Sequence, residues 1–258
     1  MSEPSHTTVT AADINKIPAV TMAFWLIKIA ATTLGETAGD AVSMTMKLGY
    51  AVGTAIFAVF FIISVIAQIR AKSFHPFLYW AVIITTTTIG TTMADFADRS
   101  LGIGYVGGSL ILFAILIGVL VFWRLSTGSV SVDNITSHKV ETFYWVTILF
   151  SNTLGTALGD FLADSGLGYE GGALVFNCML ILVATAYYWT KISPTLLFWA
   201  AFILTRPLGA TLGDILTKPL DQGGLDLSRI SSSVVIAIFM ITCILFTSQK
   251  AGKHPQGS

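Results

Sequence analysis

Residues 25–40 read WLIKIAATTLGETAGD, a stretch apolar enough for a membrane helix that nevertheless carries Lys28, Glu36 and Asp40. Its frame recurs along the chain. Gly35 lies ten residues after Trp25, and Asp40 lies fifteen after it. The same offsets join Trp80 to Gly90 and Asp95, Trp145 to Gly155 and Asp160, and Trp199 to Gly209 and Asp214. The shared pattern is W-x9-G-x4-D. Matches at both offsets in four places, at similar spacing, mark an internal repeat, and a repeat decides the architecture before any single helix does.

Each repeat has a second half. GYAVGTAIF (49–57), GYVGGSLIL (104–112) and GYEGGALVF (168–176) follow the first three motifs. The fourth departs, with the hairpin KPLDQGGLD (218–226) followed by LSRISSSVV (227–235). Apolar windows of spanning length fill both halves. The 258-residue chain is 54% hydrophobic and only 11% charged, against about 25% charged in a soluble domain. Its mean hydropathy is +0.77. Spans are expected near 20–42, 51–69, 77–97, 106–124, 143–163, 171–189, 195–217 and 230–247.

Two helices per repeat give every repeat the same orientation. The expected fold is therefore all-α: a polytopic membrane helix bundle of eight transmembrane helices from four parallel two-helix repeats. Residues 1–18 form a polar N-terminus without the basic region of a signal peptide, so insertion through the first helix is expected. Residues 19–124 hold repeats one and two, 125–142 form a connector, 143–247 hold repeats three and four, and 248–258 form a polar tail.

An even number of spans puts both termini on one side. Loops on that side carry Lys16, Arg70, Lys72, Arg124, Lys139, Lys191, Lys250 and Lys253, against Lys47, Arg99, Lys218 and Arg229 opposite. Eight cations against four place the termini in the cytoplasm. The zero net charge says nothing about nucleic acid, no basic patch points to it, and none is expected as a partner; the lipid bilayer is the expected one. Cys178 and Cys243 show no metal or disulfide spacing and are expected as buried small hydrophobes. No HExxH, GxSxG or P-loop occurs, and all four histidines fall in tails or loops, so an enzyme is not expected.

The fourfold tryptophan frame resembles that of bacterial integral membrane proteins built from four tandem two-helix repeats of unknown function, each with a characteristic tryptophan. The resemblance covers about residues 20–247. It implies the topology and a bacterial inner membrane location, but no activity.

Depth orders the motif residues. Each tryptophan falls near the cytoplasmic interface, where an aromatic belt is expected. Each aspartate lies fifteen residues further on, about 22 Å along a helix. Such carboxylates in a span cost about 2.5–3.5 kcal/mol each and should face the protein interior. Four odd-numbered helices about one axis would converge Asp40, Asp95, Asp160 and Asp214 on a common site, with Glu36 one helical turn from Asp40. The alternative is that the aspartates cap helix ends or pair with Lys47, Arg99, Lys218 or Arg229.

Glycines at small-x-x-x-small spacing, such as Gly155–Gly159 and Gly209–Gly213, let backbones approach. Arg206 occupies the slot seven residues after its tryptophan, where the other repeats have Thr32, Thr87 and Asn152. It is expected to pair with Glu36 or to hold an anionic group, with Pro207 kinking the helix beside it. Lys28 is expected to snorkel to the interface. Asp98 and Asp164 could extend an acidic path outward, and Met44, Met46 and Met93 could soften a site.

Five interior acids against two bases leave a surplus of three negative charges for a cation or protons to balance. Oxygen-only ligands suit Mg²⁺, Ca²⁺ or Mn²⁺. GETAGD and GTALGD are also locally similar to the acidic motifs of cation-exchanger families. The expected function is a secondary transporter exporting or exchanging a divalent cation, Mn²⁺ first, against protons. The metal would be its substrate, with no covalently bound cofactor. Its ion-binding residues would be Glu36, Asp40, Asp95, Asp160 and Asp214, joined by Arg206, Thr91 and Asn152. A proton-coupled carrier of an organic or anionic solute through Arg206, and a non-transporting scaffold, are the alternatives; a homo-oligomer fits any of them.

Overall fold

A computed structural model describes residues 16–132, 135 and 137–252. Most of the polar N-terminus, three connector positions and the last six residues of the tail lie outside the described residues. Among those described there is no strand. The helices are α1 (Met22–Asp40), α2 (Gly49–Arg70), α3 (Pro76–Asp95), α4 (Gly104–Thr127), α5 (His138–Leu162), α6 (Gly168–Trp189), α7 (Pro194–Thr217) and α8 (Arg229–Phe246).

Local chemistry sets their ends. Thr21, Ser137 and Ser228 accept the backbone N–H three residues on and cap α1, α5 and α8. Pro76 and Pro194 open α3 and α7, where a missing N–H costs nothing. Directly after Asp40, Asp95 and Leu162 the helix widens into one π-type turn, Ala41–Thr45, Phe96–Ser100 and Ala163–Leu167. The glycine of each GY motif then turns the chain with φ of 77° at Gly49, 76° at Gly104 and 66° at Gly168, a region closed to most side chains.

α1, α3, α5 and α7 form a closed ring, each packed on the next and α7 on α1. The other four helices form an outer layer, and each covers the inner helix of the following repeat: α2 on α3, α4 on α5, α6 on α7, and α8 back on α1. The glycines are the ring's joints. A Cβ on Gly35 would run into Thr87, on Gly90 into Asn152, on Gly155 into Arg206, and on Gly209 into Thr32. Each motif glycine thus receives the slot-seven residue of the next repeat, the fourth receiving that of the first. Thr87 and Thr32 complete their joints by donating to the carbonyls of Ala31 and Thr205, both at 3.1 Å.

The molecule is apolar outside and polar inside. Val59, Phe60, Ile63, Leu110, Phe113, Leu182 and Val235 are exposed on the outer helices, while Thr86, Thr87, Thr88, Thr91 and Thr92 of α3 are buried. Six stretches are long and apolar enough to cross a membrane, with α5 and α6 counted together. α1 is not among them, because Lys28, Glu36 and Asp40 sit in its buried face. This is the composition of a multi-pass membrane protein.

Some expectations fail radially. The motif tryptophans do not form a lipid-facing belt. Trp80, Trp145 and Trp199 are buried and pack with Tyr79, Tyr144, Phe198 and Phe202 into an aromatic layer across one end of the ring. Tyr79 and Tyr144 share a hydroxyl hydrogen bond of 2.9 Å there. Depth was readable from spacing; whether an aromatic face meets lipid or a neighbouring helix was not. Cys178 is exposed and Cys243 half-buried, not core. α7 runs unbroken through Pro207.

Both described chain ends close over the aromatic layer. Ala19 N–H donates to the Lys250 carbonyl and Gly252 N–H to that of Ile17, both at 2.9 Å. Lys16 reaches Glu141 at 2.7 Å. Ile17, Val132 and Ile135 are buried against the same core.

Candidate functional site

The repeat stacks its polar residues in layers down the ring axis, each about one helical turn, roughly 5–6 Å, from the next. Three residues after the tryptophans comes Lys28, in register with Ile83, Ile148 and Phe202. Four further on come Thr32, Thr87, Asn152 and Arg206; then Glu36 and Thr91; then the four aspartates. All are buried. Every residue expected from sequence to form the site therefore lies in the ring interior, at three successive depths.

The aspartates form a mouth at the end opposite the chain termini, and protein cations pin it. Arg99 bridges repeats two and three, with Nε 2.7 Å from Asp95 Oδ1 and Nη2 3.4 Å from Asp160 Oδ2. Lys218 bridges repeats four and one, with Nζ 3.0 Å from Asp40 Oδ2 and 3.1 Å from Asp214 Oδ1. Arg229 approaches Asp40 Oδ2 at 3.5 Å. Arg99 and Lys218 each stand four residues after their motif aspartate. The extended signal D-x3-(R/K) of the even repeats was present in the sequence. Burial lowers the affinity of Lys218 for its proton, but the carboxylates of Asp214, Asp40 and Glu36 outweigh this and raise its pKa well above the ordinary lysine value.

These pairs overturn the interior surplus of three negative charges expected from the spans alone. That count omitted cations which enter from the loops. The alternative of pairing with loop cations holds for Arg99, Lys218 and Arg229, while Lys47 is exposed. Four mouth aspartates face three cations, so a single negative charge is left over.

Above the mouth, Arg206 Nη2 lies 2.9 Å from Glu36 Oε2 and donates to Thr91 Oγ1 at 2.5 Å. Thr91 donates in turn to Glu36 at 3.3 Å. Arg206 thus pairs with Glu36, the partner expected. Asn152 Nδ2 donates to Thr86 Oγ1 at 3.1 Å and its Oδ1 accepts from Lys28 at 3.4 Å. Lys28 does not snorkel. It is fully buried, with Nζ 4.2 Å from the centre of the Phe202 ring.

Glu36, Asp40 and Asp214 each bring a carboxylate oxygen to within 4.8 Å of the others. Three hard oxygen ligands at that separation suit a divalent cation, and the Lys218 ammonium lies against two of the three carboxylates. Of the methionines expected to soften a site, Met44 and Met46 are exposed and Met93 is half-buried. Asp164 is exposed, and Asp98 is buried with its carboxylate against Gly108.

A family model described as Repeat of Unknown Function (DUF347) matches residues 23–74, 78–129, 143–193 and 197–250. These segments coincide with the four repeats read from the tryptophan frame. No curated protein and no solved structure matches the chain.

Proposed function

Since the chain belongs to the family of the Repeat of Unknown Function (DUF347), a family defined by a repeat and by no activity, we propose from the site itself that it is a secondary membrane transporter for a hard cation. All eight helices cross the membrane, the termini lie in the cytoplasm by the lysine and arginine bias of the loops, and the membrane is a bacterial inner membrane. The observation that carries the reading is the convergence of Glu36 and Asp40 of α1 with Asp214 of α7, the Lys218 ammonium against two of them, while the other expected ligands, Asp95 and Asp160, pair with Arg99 outside this set. Buried acids in a membrane bundle are costly and mark ion paths.

Lys218 acts as a tethered counter-ion. A divalent cation such as Mn²⁺ takes its place when the 218–226 hairpin swings out, and protonation of the aspartates favours release. The hairpin that breaks the repeat pattern is then the gate at the mouth, and the aromatic layer closes the other end.

Mn²⁺ binding to the purified protein tests this. Lys218→Met removes the competing cation and should tighten Mn²⁺ binding roughly tenfold, equivalent to about 1.4 kcal/mol. Asp40→Asn combined with Asp214→Asn should abolish it. Unchanged Mn²⁺ affinity in both variants would sink the proposal.

A further inference from the structure

We infer that the same axis carries a second site of opposite sign, in which Lys28 and Arg206 bind a small monoanion of the monocarboxylate class. The charge count at mid-depth points to it. Lys28 and Arg206 face one acid, Glu36, which is already committed to Arg206 at 2.9 Å. Glu36 lies eight residues from Lys28 on α1, about 12 Å along the helix. Among the described ion pairs none includes Lys28. Its neighbours are the Asn152 oxygen at 3.4 Å and the Phe202 ring, which solvate an ammonium but do not neutralise it. Burial without a counter-ion disfavours a lysine ammonium, and an anion bound beside it would hold Lys28 in its charged form.

Arg206 supplies the second observation. It is 0% exposed, yet only Nη2 is used; Nε and Nη1 have no hydrogen-bond partner among the described residues. A guanidinium with donors to spare, next to a lone ammonium, is an anion receptor. With Lys28 charged, the pair of bases carries one positive charge more than Glu36 balances, which one monoanion neutralises. Several directional donors favour a planar acceptor with two oxygens over a halide. The access this site needs rests on the carrier reading above; its chemistry does not.

The test follows the thermal unfolding of the full-length protein in detergent through tryptophan fluorescence, with sodium acetate as probe and sodium chloride at equal ionic strength as reference. Acetate at a hundred times its dissociation constant should raise the melting temperature by roughly 5–10 °C over chloride. Lys28→Met strands no carboxylate. It should melt no lower than the parent in chloride and lose the acetate shift, whereas Lys28→Arg should keep it. Asp40→Asn with Asp214→Asn should keep the acetate shift while losing Mn²⁺ binding, which separates the two sites. A parent protein without an acetate shift, an equal response to chloride, or a shift that survives Lys28→Met overturns the assignment.

Discussion

Glu36→Gln should cost about 3–5 kcal/mol, enough to remove most of the folded protein, and Glu36→Gln with Arg206→Gln should restore much of it. The single change leaves Arg206 and Lys28 facing each other in a dry ring with no acid between them. A typical domain has only about 5–15 kcal/mol in hand. The double change removes the stranded guanidinium with the carboxylate and leaves Lys28 as before. Arg206→Gln alone should be milder than Glu36→Gln, because Glu36 is left one turn from the Lys218 bridge. Size-exclusion profiles and melting temperatures of the three variants in one detergent check the order. Equal loss in the single and double variants would show that the pair does not couple α1 to α7.

The second large effect is steric. Gly35→Ala and Gly209→Ala each place a methyl group into a threonine of the adjacent inner helix, with backbone atoms close behind: at Gly209 the new carbon falls 2.5 Å from Thr32 Cβ and 2.9 Å from its carbonyl carbon. A flexible side chain could step aside, but these threonines are held by bonds to the neighbouring carbonyls. Each change should cost about 3 kcal/mol, the upper end of overpacking. Gly118→Ala on α4 meets nothing within 4 Å and should be neutral or stabilising by up to about 1 kcal/mol from helix propensity. Comparable melting temperatures for all three variants would mean that the ring is not closed at these joints.

The repeat carries most of the architecture in plain sight. Offsets of ten and fifteen from each tryptophan fix the depth of glycine and aspartate, and the expense of buried carboxylates requires an inward face, which is why Glu36, Asp40, Asp95, Asp160 and Asp214 could be grouped from sequence. What failed was radial or local. Spacing puts Trp80 and Trp145 at interface depth, where a belt is expected, but helical spacing does not say what a face touches. Lys28 was sent to the interface because its distance from the helix start fits a snorkelling reach, while the Phe202 ring that shelters it comes from the far end of the chain. Arg99 and Lys218 were counted as loop charges because π-type turns and hairpins have no strong sequence signature, and only the fold turns those side chains back onto the mouth.

The clasp of α8 on α1 reaches beyond the finished molecule. A chain made from its N-terminus presents α1 long before α8, the helix that covers it. Until α8 has been made, the charged helix α1 keeps one flank bare. No half of the protein is a closed object, since the outer helix of each repeat shelters the repeat still to come. Assembly therefore waits for α8, and a chain truncated before it leaves the outer flank of α1 uncovered for quality-control proteases to recognise.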